Sequence, residues 1–231
     1  LGPETVVVAI PAFDEAENLP GVLARMPESV AGCRVRPVVI DDGSRDATRR
    51  VAREHGALVA ANPFNRGGGA ALRVGYDLAV RADAAALVTL DADGQNQPEE
   101  LPDLVAPILA DEAEIVIGSR RLGRHEVTVW WRDLGVSVFT RLLNLLMGTR
   151  LTDVSSGYRA MAPAALARLH LVQEQYHTSE FLIMAAKAGQ RIAERPIHFR
   201  RRSSGVSKKG HDLLYGLRFA WVLLTSWLRP A

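Results

Sequence analysis

The 231 residues include 28 Lys and Arg against 26 Asp and Glu, a formal net charge of +2, and 48% of them are apolar. That is enough chain for one large domain with a sizeable core, and the charge is too balanced to select nucleic acid. Cys33 is the single cysteine, which excludes an intrachain disulfide and a cysteine zinc cage.

Short, nearly continuous apolar runs at residues 6–10, 35–40, 58–61, 85–90 and 115–117 predict strands buried on both faces, as in a parallel sheet. Helical patterns fall between them. Asp46 is placed to cap a helix that stops near Gly56. Residues 69–81 carry Leu72, Tyr76 and Val80 at helical spacing, and Pro98 opens a further helix with Glu99 and Glu100 in its first turn. Alternating strands and helices predict an α/β fold, a mostly parallel central sheet flanked by helices. Residues 122–127 read as a linker. Residues 130–147 predict a helix with Trp131, Leu134, Val138, Leu142 and Leu145 on one face, followed by helices near 164–169 and 179–188. Residues 192–199 predict a strand broken at Pro196, 203–210 a second linker, and 212–228 a final apolar helix. The division expected is a domain over 1–210 and a C-terminal apolar helix over 211–231. No signal peptide is expected, and no run reaches the roughly 20 apolar residues of a spanning helix.

Ligands of open parallel sheets bind beyond the carboxyl ends of the strands. Four predicted strands end in polar clusters: Pro11 to Glu15, Asp41 to Ser44, Asp91 to Gln95, and Gly118 to Arg120. One cluster alone is turn chemistry, whereas four on one edge make a polar crevice. Asp91 and Asp93 flank one small residue in extended chain, so their carboxylates face one point. With the amide oxygen of Gln95 they form a hard oxygen site suited to Mg²⁺ or Mn²⁺ completed by water and substrate phosphates. The competing reading is a polar turn capping the next helix. Asp41 and Asp42 suit hydrogen bonds from a base or ribose, or else an Asx turn. The Asn65-Arg66-Gly67-Gly68-Gly69 run offers backbone amides that cradle phosphate at a helix start, or else a tight loop that needs positive φ. The late basic cluster, Arg195, Arg200, Arg201, Arg202, Lys208 and Lys209, points to an anionic partner.

In order and spacing these pieces resemble the family 2 glycosyltransferases of the GT-A fold. Pro11-Ala12-Phe13-Asp14-Glu15 is similar to the family's P-x-Y/F-N-E, and Asp41-Asp42-Gly43-Ser44-x-Asp46-x-Thr48 to D-D-G-S-x-D-x-T. Asp91-Ala92-Asp93-x-Gln95 is similar to D-A-D-x-Q, Gly118-Ser119-Arg120 to G-S-R, and Asp153-x-x-Ser156-Gly157-Tyr158-Arg159 to D-x-x-S-G-F/Y-R. Glu194-x-Pro196-Ile197 and Arg202-x-x-Gly205-x-Ser207-Lys208 resemble E-x-P-I and R-x-x-G-x-S-K, which is the pattern of polyprenyl-phosphate glycosyl synthases, the group that includes dolichyl-phosphate mannose synthase. Three positions depart from the pattern: Asp14 for Asn, Gly68 for Lys, and Asn96 for His.

The resemblance implies an inverting enzyme that moves a hexose from a GDP- or UDP-sugar to a polyprenyl phosphate. Pro11, Glu15, Asp41, Asp42 and Gly69 would contact the donor, and Asp91, Asp93 and Gln95 would hold Mg²⁺ or Mn²⁺ on its diphosphate. Arg120, Arg132, Arg202 and Lys208 would clamp the acceptor phosphate, with Asp153 and Ser156 also lining the site. Asp93, Arg120 and Arg202 are the residues assigned to catalysis. A lipid acceptor implies a cytoplasmic protein peripheral on the membrane face. The alternatives are a soluble hydroxyl acceptor with Glu180 as general base, and a non-catalytic nucleotide-binding subunit.

Overall fold

A computed structural model describes residues 1–126, 130–175, 177–202, 221–222 and 224–229, with the backbone alone for 130–136. The first half alternates strand and helix: β1 (Thr5–Ala12), α1 (Leu19–Leu23), β2 (Ser29–Val30), β3 (Cys33–Asp41), α2 (Thr48–Glu54), β4 (Leu58–Ala61), α3 (Gly68–Arg81) and β5 (Ala86–Thr89). A 3-10 turn (Pro98–Glu100) then leads into α4 (Leu101–Leu109). The second half holds β6 (Ile115–His125), α5 (Trp130–Met147), β7 (Arg159–Met161), α6 (Pro163–Leu166), α7 (His177–Lys187) and β8 (Ile192–Phe199).

One sheet runs β4-β3-β1-β5-β7-β6-β8, with β2 antiparallel to the start of β3. Pairings β3/β4, β1/β3, β1/β5 and β6/β8 are parallel, whereas β7 lies antiparallel between β5 and β6. Successive residues of β1 point to opposite faces, which is why the run is apolar throughout. Val6, Val8 and Ile10 pack with Leu19, Ala52, Leu101 and Leu104 of α1, α2 and α4. Val7 and Ala9 pack with Leu72, Tyr76 and Phe181 of α3 and α7 on the other face.

The sheet is mostly parallel, as expected, with the three-residue β7 inserted antiparallel between β5 and β6. Three expectations are corrected. Residues 122–125 are not linker but the end of β6, where Arg124 and His125 pair with His198 and Phe199 after a register shift. β8 is not broken at Pro196. It lies at the sheet edge, where a strand tolerates proline, and Pro196 stays in register with Ser119. At its described positions the face of α5 expected from its spacing is also not the packed one; the side chains of Trp131 and Leu134 lie outside the described residues. Leu143 is buried, with Phe139 and Met147 against the same core, while Val138, Leu142, Leu145 and Leu146 face solvent. The helix is apolar on more than one side, so its periodicity fits two orientations.

Of the final helix, residues 221–222 and 224–228 are helical. Lys187 of α7 donates to the carbonyls of Trp227 and, at 2.6 Å, Arg229. Residues 203–210, the expected second linker, and 212–220 lie outside the described residues. No helix among the described residues is long and apolar enough to cross a membrane.

Candidate active site

The strand ends are laced together by their own polar residues. The Asp42 amide donates to the Ala12 carbonyl (2.8 Å), the Asp14 amide to Ser44 Oγ (2.9 Å), the Glu15 amide to Thr48 Oγ1 (2.9 Å) and the Arg45 amide to Asp14 Oδ1 (2.8 Å). Pro11 stands next to the last residue of β1, beside Ile40. Asp14 has φ +51°, a left-handed conformation that Asn and Asp both accept, which explains why Asp is tolerated where Asn is usual. Asp46 accepts the Thr48 amide (2.9 Å) at the start of α2, although the capping position itself belongs to Ala47.

Asp41 and Asp42 are buried and already engaged. Asp41 accepts the Ser44 amide (3.1 Å) and the Arg49 Nε. Asp42 accepts Asn62 Nδ2 (2.8 Å), the Arg66 amide (3.1 Å) and the Gly67 amide (2.7 Å). The Arg66 and Gly67 amides, which could cradle a phosphate, are thus turned onto a carboxylate of the chain itself. Gly67 has φ +101°, as a tight loop requires. Gly69 donates its amide to the Glu174 carbonyl (2.8 Å), and Arg66 pairs with the Glu174 carboxylate.

Past β5, Asp91 forms no hydrogen bond among the described residues. Its carboxylate lies 3.5–3.8 Å from where a Cβ on Gly157 would stand, so glycine leaves that flank uncovered. Asp93 accepts the Gln95 amide at Oδ1 (3.1 Å) and faces Arg202 Nη1 across 3.4 Å at Oδ2. Arg202 also bridges to Glu15, which accepts Asn18 Nδ2 (2.6 Å). Gln95 tethers this arrangement. Its carbonyl accepts the Arg200 amide (2.8 Å) and its Nε2 donates to the Arg200 carbonyl (3.2 Å), which brings residues 200–202 over the acidic turn. No cluster of three or more His, Cys, Asp or Glu that could hold a metal occurs among the described residues. Two carboxylates with one open flank still fit Mg²⁺ or Mn²⁺, since such ions take one or two carboxylates and complete their shell with water and phosphates.

Gly118 to Arg120, expected at a strand end, lie inside β6, and there Arg120 forms a two-pronged pair with Asp153: Nε to Oδ2 at 2.6 Å and Nη2 to Oδ1 at 2.7 Å. Asp153 is 1% exposed. Burial pushes its pKa up, but the Arg120 guanidinium outweighs this and holds the carboxyl below the usual range. Arg120 also sits over the Phe199 ring, 5.2 Å from its centroid. Glu194, not among the residues expected at the site, fixes this turn by accepting the amides of Thr152 (2.8 Å) and Asp153 (3.0 Å). Its only signal was its place in the E-x-P-I match. Ser156 is buried and accepts the Tyr158 amide (3.3 Å). Arg159 is buried beneath, its guanidinium carbon 5.2 Å from the Phe181 ring centre. Burial lowers its pKa to about 10 against the opposing effect of Tyr76, Asp153 and Asp91, so it remains a cation behind the acidic pair at neutral pH.

Glu180 is fully buried. Its two oxygens accept the amides of Val172 (3.0 Å) and Gln173 (2.9 Å), and Arg229 Nη2 lies 2.6 Å from Oε1. That carboxylate fastens a loop and the C-terminal helical stretch, which removes the general base expected for a hydroxyl acceptor. Arg132 lies in α5, but its side chain, like the whole of Lys208, is outside the described residues.

Residues 7–169 match the family described as Glycosyl transferase family 2. The polyprenol monophosphomannose synthase of Mycolicibacterium smegmatis is 34% identical over 220 residues, covering 89% of this chain and 81% of that protein. The undecaprenyl-phosphate mannosyltransferase of Micrococcus luteus is 32% identical, covering 88% of this chain and 86% of that one. Among solved structures, glucosyl-3-phosphoglycerate synthase from Mycobacterium tuberculosis, in complex with Mn²⁺, UDP and glucosyl-3-phosphoglycerate, aligns with a TM-score of 0.73 over 98% of this chain and 81% of that one. At 21% identity that likeness is one of fold.

Proposed function

The chain belongs to glycosyl transferase family 2, and from that premise we propose that it moves a hexose, with inversion, from a GDP- or UDP-sugar to a polyprenyl phosphate. The observation that carries this reading is Arg202 held on Glu15 and Asp93. It brings the late basic segment, suited to an anionic acceptor, onto the carboxylates suited to a donor's metal-bound diphosphate. The names of the two mannosyl-transferring relatives support the acceptor class, and the UDP and Mn²⁺ in the solved neighbour support the donor class and the ion.

Asp91 and Asp93, with Gln95 beside them, would hold Mg²⁺ or Mn²⁺, which when bound neutralises charge on the departing nucleoside diphosphate. The chain's own task is positioning. A phosphate monoester has a second pKa of about 6, so the lipid phosphate is largely dianionic at neutral pH and needs no general base. This agrees with the committed Glu180. One phosphate oxygen attacks the anomeric carbon as the bond from that carbon to the diphosphate breaks. Arg202 is placed to align the incoming anion through charged, directional hydrogen bonds. Arg120, Arg132 and Lys208 are the further phosphate contacts of this proposal.

Residues 1–210 form the transferase unit in this reading, and 211–231 its C-terminal apolar helix, peripheral on the cytoplasmic face of a membrane. The outward Val138, Leu142, Leu145 and Leu146 of α5, and the exposed Trp221, Leu224, Trp227 and Leu228, support contact with lipid. The test is a screen of UDP- and GDP-sugars with a short-chain polyprenyl phosphate and Mn²⁺. Product should form and vanish on adding EDTA. Glycosylation of a hydroxyl acceptor, with no polyprenyl-phosphate sugar from any donor, refutes the acceptor assignment.

A further inference from the structure

We propose that Phe64 is the platform on which the donor's nucleobase stacks. The inference rests on the nucleotide-sugar reading above and adds the residue that grips the base.

Phe64 lies just past β4, at the carboxyl edge of the sheet, and is 64% exposed. Single exposed apolar side chains are ordinary, so its place is what matters. Among the described residues, the other exposed large aromatics are Trp221 and Trp227, both in the C-terminal helical stretch, so Phe64 is the one exposed aromatic described at the polar edge where the strand ends converge.

The ring stands on a fixed backbone. Asp42 holds both ends of the 62–67 loop, accepting the Asn62 side-chain amide on one side and the Arg66 and Gly67 backbone amides on the other. Gly43 lies directly beneath, with φ +79°; a Cβ there would stand 2.6–2.7 Å from the backbone of Phe64 and Asn65. Only glycine lets the loop sit this close to the end of β3. A phenyl ring on a seated backbone has two side-chain torsions to order, so a second ring binds it at small entropic cost.

The direction of the donor follows from the topology. The chain passes from β1 to β3 on one side and later to β5 on the other, which places the crevice at the end of β1. The acidic pair follows β5, and the basic and acceptor-facing groups Arg120 and Arg202 come from the β6 and β8 side. The transferred sugar has to face the acceptor, so the nucleoside extends the opposite way, over β1 and β3 toward β4. From β5 to β4 is three strand spacings, roughly 14 Å, a span an extended nucleoside diphosphate bridges. Phe64 stands at the end of that path.

The experiment is calorimetric titration of the full chain with UDP–Mn²⁺, GDP–Mn²⁺ and, as a ligand with no base, pyrophosphate–Mn²⁺. Base–aromatic stacking of ordinary strength makes Phe64→Ala weaken the better nucleoside diphosphate about tenfold or more. Pyrophosphate affinity should stay unchanged, and Phe64→Tyr should bind like the parent. In Phe64→Trp, indole fluorescence should respond to the nucleotide and not to pyrophosphate. Equal nucleotide affinity in Phe64→Ala overturns the proposal, and so does an equal loss for pyrophosphate, which marks a collapsed loop. If the parent binds pyrophosphate–Mn²⁺ and neither nucleotide more tightly, the donor reading itself falls, and the stacking role with it.

Discussion

The Arg120–Asp153 pair sets a quantitative test of how the acceptor side is built. Asp153→Ala removes a carboxylate that accepts three bonds from Arg120, two from the guanidinium at 2.6 and 2.7 Å and one from the amide at 3.2 Å. The side chains are 1% and 14% exposed, so water does little to replace the lost partner. Breaking a buried pair from one side costs about 3–5 kcal/mol, whereas an exposed pair is worth about 0–1 kcal/mol. For a chain of this size each kcal/mol moves the melting point by about 2–4 °C, so the variant should melt about 6–20 °C lower. Most of that loss is the stranded guanidinium. The double variant Asp153→Ala with Arg120→Met should therefore recover much of it, since apolar replacements of buried pairs are often neutral. Thermal unfolding followed by circular dichroism on the four proteins of this cycle gives the coupling directly. A loss near 1 kcal/mol, or a double variant as unstable as the two single losses added together, would refute the view of Arg120 as a cation dependent on Asp153.

Three further outcomes are expected. Arg202→Ala should lower acceptor kcat/KM roughly tenfold to a hundredfold, the worth of a charged hydrogen bond of about 1.5–3 kcal/mol; a larger effect on donor KM than on the acceptor would contradict it. Glu180→Gln should lower the melting temperature and leave the turnover of the remaining folded protein near the parent's, because Glu180 fastens a buried loop; intact stability with lost turnover would restore it as a base. Asp153 is held below its usual range and titrates near 3.9 when unfolded. The stability it contributes is therefore full above about pH 4 and is lost as pH falls through the folded pKa. The difference in urea unfolding between the parent and Asp153→Asn should stay flat from neutral pH to about 5 and shrink at lower pH; a difference that grows in acid means the sign is wrong.

Where a strand is buried on both faces, sequence is enough to find it, and the runs at 6–10 and 35–40 fall within β1 and β3; the run at 58–61 coincides with β4, but that strand pairs with β3 alone and is half-buried to exposed, not buried on both faces. The polar ends of β1, β3 and β5 were equally legible, because a carboxylate pair directly after a buried strand has few places to go, whereas Gly118 to Arg120 proved to lie inside β6, which runs on to His125. The three residues of β7 are too few to show a period, and the strand exists through its two neighbours, β5 and β6. The buried side of α5 could not be chosen from spacing when both sides are apolar; packing of Leu143 against the core chose it.

The amino-acid sequence alone determined the alternation of elements, the edge where chemistry concentrates and the residue types available there. Which of those residues are committed to each other was decided only by the tertiary structure. Asp42 serves the loop that carries Phe64, Asp153 serves Arg120, and Arg202 reaches Asp93 across 109 positions of chain. The reason is physical. A strand or helix is written in local periodicity, but an ion pair between distant residues depends on where the sheet order brings their backbones, and that order departs from the order of the sequence at β3/β1, β1/β5, β5/β7 and β6/β8, with a register shift between β6 and β8.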